Sequence, residues 1–196
     1  MSTLPTPFLS PEQYLALERK AQTKSEYYQG ETFAMAGGSA THSQLAVALA
    51  SLLRERRPKD RCRIYNSDMR VRISPTGLYT YPDVTAVCGP PVFHENDTLL
   101  NPGLIAEILS PSTADYDRGL KFDQYRSLDS LRQYLIVWQD RIQVHLHTRQ
   151  TDGWLLTTWD KPEDTVRLTA LPVEFTLAEL YQDVLPFDDQ ALQTLR

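Results

Sequence analysis

An α/β domain on a mixed β-sheet is the fold class that this chain predicts, and three observations lead there. Leu104–Leu109 is apolar at every position but one, as suits a central strand covered on both faces. Runs with strand character are interleaved with segments of helical period, which argues for a sheet flanked by helices rather than a sandwich. The 196 residues suffice to bury a core without disulfides, and they carry no repeat, linker or low-complexity stretch. One domain over 1–196, with its core at about 24–160, is therefore expected.

Along the chain, Ser10 and Pro11 supply the N-cap and first position of a short helix, Pro11–Glu18. Residues 24–30 and 31–36 form a hairpin whose tight turn is Gln29-Gly30, and Gly37-Gly38-Ser39 breaks the pattern. Leu45, Leu49, Leu52 and Leu53 mark the core face of a helix over about 41–57, which Pro58 helps to stop. Strands follow at 61–65, 69–73 and 83–88, and residues 89–103 read as a surface excursion. After Leu104–Leu109, Ser112 and Asp115 make a capping box for a helix reaching about Leu128. Gln133–Trp138 and residues 142–147 pair around Asp140-Arg141, a further strand covers 154–159, and 177–184 is a short helix.

The net charge of −5 and pI near 5.4 argue against a protein that coats nucleic acid by bulk electrostatics. They leave room for a nuclease with a local basic rim. No apolar stretch approaches the roughly 20 residues that cross a bilayer. The N-terminus lacks the basic start and apolar core of a signal peptide, so a cytoplasmic protein with no membrane partner is expected. Cys62 and Cys88 have no metal-type spacing and each lies in a strand-like run, so two reduced buried thiols are expected.

The chemistry concentrates in two carboxylates set into these strands. Asp83 opens Pro82-Asp83-Val84-Thr85-Ala86-Val87-Cys88, and Glu107 interrupts Leu104–Leu109. An ionised carboxylate buried without a partner costs several kcal/mol or more, so such a group is normally paired, protonated or bound to a metal. Alternation puts Glu107 on one face with Ile105 and Leu109, and Asp83 with Thr85 and Val87. Neighbouring strands would bring both carboxylates to one side, where Mg²⁺ takes one or two carboxylates with waters and a phosphate. Asp117, Lys121 and Tyr125 are spaced i, i+4, i+8 on the helix that follows, with Gln124 beside them. A lysine there would orient the attacking water or stabilise the phosphate charge.

With these motifs the chain resembles a known family. The set is Pro82-Asp83, Glu107 in Leu-Ile-Ala-Glu-Ile-Leu-Ser-Pro-Ser-Thr, and Asp117 with Lys121 and Tyr125. It is similar to the Uma family, restriction-endonuclease-like proteins of the PD-(D/E)xK nuclease superfamily. Tyr28-Gln29-Gly30-Glu31 and Met35-Ala36-Gly37-Gly38-Ser39 followed by His42 also fit, and the match runs from about residue 24 to 159. The resemblance implies a restriction-endonuclease-like core and Mg²⁺-dependent hydrolysis of phosphodiesters, with DNA as partner and Mn²⁺ as a substitute ion. The superfamily's usual lysine lies two residues beyond the acidic residue, which here is Leu109; the resemblance implies that Lys121 takes its role.

The expected site is thus Asp83 and Glu107 as metal ligands, Lys121 assisting the water, and Gln124 and Tyr125 lining it, with Asp117 in support. Glu31 reads equally as a third acidic ligand and as a solvated hairpin residue. His42 lies on the core side of its helix, where a hydrogen-bonded structural role is preferred to a catalytic one. His145 and His147 read as a solvated hairpin face, and Trp138, Trp154 and Trp159 as core or dimer contacts. Arg54, Arg56, Arg57 and Lys59 read as a solvated helix end or a phosphate-tracking rim. Cleavage of both strands needs two sites, so a homodimer is expected. The alternative is a catalytically silent module for binding or dimerisation on the same fold.

Overall fold

The computed structural model describes residues 8–109 and 117–182 together with Val184. The chain opens with α1 (Pro11–Glu18), whose Ser10 and Gln13 close a reciprocal capping box. Gln29 and Gly30 take φ of 48° and 90°, as a two-residue type I′ turn requires, and join β1 (Ser25–Tyr28) to β2 (Glu31–Ala34). Ser39 then caps α2 (Ala40–Arg56) through the His42 amide, and Leu45, Leu49 and Leu53 form its fully buried stripe.

Strands β3 (Cys62–Asn66), β4 (Arg70–Ile73), β5 (Leu78–Thr80), β6 (Val84–Cys88), β7 (Phe93–His94), β8 (Thr98–Leu99) and β9 (Leu104–Leu109) follow. A π-helical turn, Asp117–Lys121, runs into the short helix α3 (Phe122–Tyr125). Then come β10 (Gln133–Trp138), β11 (Val144–Gln150), β12 (Gly153–Trp159), β13 (Thr165–Leu168), β14 (Val173–Thr176) and α4 (Leu177–Tyr181).

The strands make two six-stranded mixed sheets. The first is ordered β2-β1-β5-β4-β8-β7, with β4 and β8 parallel; the second is β12-β11-β10-β9-β6-β3, with β9 and β10 parallel. Alternation along β9 explains how they stack. Leu104, Ala106 and Ile108 meet α2, the β13–β14 hairpin and α4 in one apolar core. Ile105 and Leu109 point the other way, into a second core with Val71 and Ile73 of β4, Leu78, Tyr125 and Leu131. α1 packs beyond the first sheet, against Tyr27 and Tyr79. Glu107 therefore lies on the face buried between the sheets.

Several expectations need correction. The excursion at 89–103 contributes β7 and β8 to the first sheet, with Thr98 and Leu99 fully buried. Its polar and proline-rich flanks hide two strands too short to show a period. The β13–β14 hairpin and β5 have no counterpart in the sequence reading, for the same reason. Ser112 and Asp115 lie outside the described residues, and helical structure ends at Tyr125, not Leu128. Cys62 and Cys88 are disulfide-bonded rather than reduced, because the antiparallel register of β3 and β6 sets them directly opposite each other. Cys88, moreover, is exposed.

His145 and His147 do not form a solvated face. The His147 ring centre is 4.2 Å from that of Phe122, and His145 is 4.2 Å from Trp138. Burial, helped by neighbouring His145, holds the His147 pKa down at about 4. Its ordinary value near 6.5 applies in the unfolded chain, which therefore binds more protons between about pH 6.5 and 4. This contribution to stability is intact above pH 6.5 and is lost as the pH falls towards 4, by at most roughly 3 kcal/mol. His147→Phe should flatten that part of the stability–pH curve in urea unfolding. An unchanged slope would assign the proton uptake to other groups.

Candidate active site

Strand pairing builds the centre of the site. Val84 of β6 pairs with Ala106 of β9 in antiparallel register, so Asp83, one residue before the strand, comes opposite Glu107. Asp83 is held at three points. Its Oδ2 accepts from the Ile108 backbone N–H at 2.7 Å and lies 3.2 Å from His42 Nε2, and its own N–H faces Glu107 Oε2 at 3.4 Å. His42 reaches Asp83 from the first turn of α2. Gly38 leaves room for the imidazole, since a Cβ there would stand 2.7 Å from His42 Nδ1.

Glu107 is buried, and its Oε1 accepts from Tyr125 Oη at 2.7 Å and from Lys121 Nζ at 3.0 Å. Lys121 Nζ also stands 3.3 Å from Glu26 Oε1, which accepts a short hydrogen bond from the Thr80 hydroxyl. Asp83, Glu107, Lys121 and Tyr125 are thus brought together as the sequence predicts, with Gln124 on the adjoining wall. Burial and the negative charges of Glu107 and Glu26 push the Tyr125 phenol well above its ordinary range. It therefore stays protonated and serves as a donor that orients Glu107.

The remaining expected residues divide. Asp117 lies in the π-helical turn, and its side chain is outside the described residues. Glu31 is exposed on β2 and makes no hydrogen bond or ion pair with this group. The third carboxylate beside Lys121 is Glu26, which the sequence reading passed over. Its one local signal was that Glu26 alternates with Tyr27 in a hairpin strand rich in tyrosine. Thr80 from the neighbouring strand β5 and Lys121 from the helical segment were needed to show that Glu26 is buried.

Two of the four basic residues at the end of α2 have partners away from this site. Arg56 pairs with Glu179 at 2.6 Å, and Arg57 donates to the Cys62 carbonyl. Arg56, with backbone hydrogen bonding at Thr176, holds the Glu179 carboxyl at about 2. Fourteen helical residues separate His42 from Arg56, a rise of about 21 Å. This basic terminus therefore stands about that far from the carboxylate site.

For a divalent cation, the donors present are carboxylate oxygens of Asp83 and Glu107 with the backbone of Ile108 alongside. That hard-oxygen set suits Mg²⁺ or Mn²⁺, which keep much of their hydration. No three His, Cys, Asp or Glu side chains form a ready cage among the described residues, so water or substrate would complete the coordination. The buried Lys121 cation sets a separate constraint. Removing one partner of a buried ion pair leaves uncompensated charge, at about 3–5 kcal/mol. Lys121→Met should destabilise the fold by that order in urea titration, whereas exposed Glu31→Gln should stay within about 0.5 kcal/mol. Equal effects would mean that Lys121 is not the counter-ion of this site.

Comparison with known proteins places the family and the fold. Residues 11–179 match the model of the Uma2 family, described as "Putative restriction endonuclease". The uncharacterized protein slr1290 of Synechocystis sp. is 36% identical over 179 residues, covering 91% of this chain and 94% of that protein. A second Synechocystis protein, the uncharacterized sll1609, is 39% identical over 155 residues, covering 78% and 88%. The crystal structure of a putative nuclease belonging to DUF820, from Anabaena variabilis, shares the fold. Its TM-score is 0.72 over 90% of this chain and 99% of that one, at 18% identity. The chain belongs to the Uma2 family of restriction-endonuclease-like proteins.

Proposed function

We propose that the chain is a metal-dependent endonuclease that hydrolyses phosphodiester bonds in DNA. One observation carries this reading: Asp83, Glu107 and Lys121, far apart in sequence, converge where β6 and β9 meet the helical segment. Asp83 and Glu107 would hold Mg²⁺, or Mn²⁺ in its place. When bound, the ion would lower the pKa of a water and neutralise charge on the scissile phosphate.

The remaining work belongs to the chain itself. His42 and the Ile108 amide fix the rotamer of Asp83, and Tyr125 and Lys121 fix Glu107, so both carboxylates are preorganised. Lys121 Nζ, 3.0 Å from Glu107 Oε1, would stabilise negative charge that develops on the phosphate or orient the attacking water. Leu109 shares Glu107's face of β9 but lies in the apolar core at 2% exposure. The ammonium accordingly comes from the next element rather than from this strand.

Asp83→Asn and Glu107→Gln should each erase the rise in melting temperature that millimolar Mg²⁺ or Mn²⁺ gives the parent protein, by mass action on the folded state. Each should also lower nicking of supercoiled plasmid by at least about a hundredfold. Folded variants that respond to metal and nick DNA like the parent would place the site elsewhere.

Cleavage of both strands of a duplex further calls for a two-fold pair of sites, and we propose a homodimer. The support is β12, an edge strand of the second sheet on which Leu155 and Leu156 are 55% and 46% exposed. Such an edge invites strand addition or apolar contact. Light scattering at micromolar concentration should give twice the chain mass, and Leu155→Lys with Leu156→Lys should reduce it to one. A parent protein that stays monomeric throughout would rule the dimer out.

A further inference from the structure

A concave cavity of about 580 Å³ opens beside the carboxylates, lined by Glu26, Tyr28, Phe33, Leu78, Leu120 and Gln124. The nuclease reading uses Glu26 and Gln124 of its wall but gives the cavity itself no occupant. Its volume is in the range of sites for small organic groups, roughly 300–1,000 Å³. Two of its members tie it to the site: Glu26 stands 3.3 Å from Lys121, and Gln124 precedes Tyr125, which holds Glu107. Whatever fills this cavity lies next to Glu26, the partner of the Lys121 ammonium.

The walls narrow the choice of occupant. Tyr28 and Phe33 lie on the paired strands β1 and β2, which set Glu26 opposite Phe33 and Tyr28 opposite Glu31, so both rings rise from one face. Phe33 is 48% exposed and Leu120 65%, an apolar lip that water covers poorly. Gln124 lines the same cavity, and its Oε1 is buried yet accepts no hydrogen bond. A buried acceptor without a donor is unfavourable, and native proteins leave few of them. Its amide could supply one donor and one acceptor to a ligand edge after a small rotation.

Among the described residues, aromatic and apolar faces flanked by an amide and a carboxylate match one part of a nucleic acid. A base presents two π-faces for stacking on aromatic rings, and adenine offers an amide the donor and acceptor pair at N6 and N7. A base stacked inside a duplex cannot enter such a cavity. We infer that the cavity beside Glu26 receives one unpaired base of the DNA strand whose phosphate is cleaved, so that the preferred substrate carries an unpaired or displaced nucleotide. This inference rests on the endonuclease reading and specifies its substrate class.

The test uses fluorescein-labelled DNA duplexes with one bulged adenosine, one bulged abasic residue, or full pairing. Binding is followed by anisotropy with Ca²⁺ in place of Mg²⁺, after checking that the DNA stays intact; plasmid nicking is measured in parallel. The parent should bind the adenosine bulge roughly five- to a hundredfold more tightly than the abasic bulge, the range expected for one stacked base. Phe33→Ala, at a half-exposed strand position, should fold and bring that ratio close to one. Equal affinity of the parent for the two bulges, with nicking intact, would overturn the base cavity while leaving the nuclease reading in place. A ratio unchanged in Phe33→Ala would overturn it as well. Absence of both DNA binding and nicking would overturn the endonuclease reading itself and this inference with it.

Discussion

A lysine ammonium buried between two carboxylates is the constraint around which the site is arranged. Lys121, Glu26 and Glu107 are each less than 10% exposed, so none can rely on bulk water to offset its charge. Each charge must find its partner within the fold, at 3.0 and 3.3 Å from Lys121 Nζ. This requirement links three elements remote in sequence: β1 with Glu26, β9 with Glu107, and the helical segment with Lys121 and Tyr125. The seam between the two sheets is consequently polar at one end and apolar along the rest, where Val71, Ile73, Leu99 and Leu131 fill it.

Buried polar arrangements of this kind contribute little net stability and much positional definition. Tyr125 illustrates how. Its ring packs edge-on against Tyr134, with centroids 5.3 Å apart, while its hydroxyl donates to Glu107. The aromatic contact fixes the ring, the ring fixes the hydroxyl, and the hydroxyl fixes the carboxylate. Asp83 is restrained differently, by a backbone amide on one strand and a histidine on a helix. Proteins that position ionisable groups for chemistry use such supports to keep the reacting geometry within a fraction of an ångström.

A second charged cluster serves a different purpose. Arg70, at 4% exposure, meets Asp97 at 2.6 Å and also bonds Tyr81 and Thr98, while Arg19 at the end of α1 pairs with Asp97 and Glu95. Both the α1 end and the β7–β8 loop are tied to the first sheet through it. The Asp97 carboxyl, against burial that would raise it, is pulled down to about 2 by Arg19 and Arg70. No part of this cluster lines the cavity or touches the candidate active site among the described residues. It holds the far edge of the sheet that carries Glu26.

Much of the fold was legible in the sequence because its signals are local. The Ser10–Gln13 cap, the Gln29-Gly30 turn, the leucine stripe of α2 and the apolar run of β9 each follow from residues within one turn or one strand. The Asp83–Glu107–Lys121 set was legible too, since charged groups inside strand-like runs must be compensated. Three features were decided only by tertiary structure. Glu26 is a site residue because β5, paired beside β1, delivers Thr80 and the helical segment brings Lys121 to the same carboxylate. His145 and His147 are packed rings because Phe122 and Trp138 come from other elements to lie against them. Cys62 meets Cys88 because β3 pairs with β6 in one register out of several. Burial and proximity between distant segments depend on which strands become neighbours. That choice minimises the free energy of the whole core, and no window of sequence contains it.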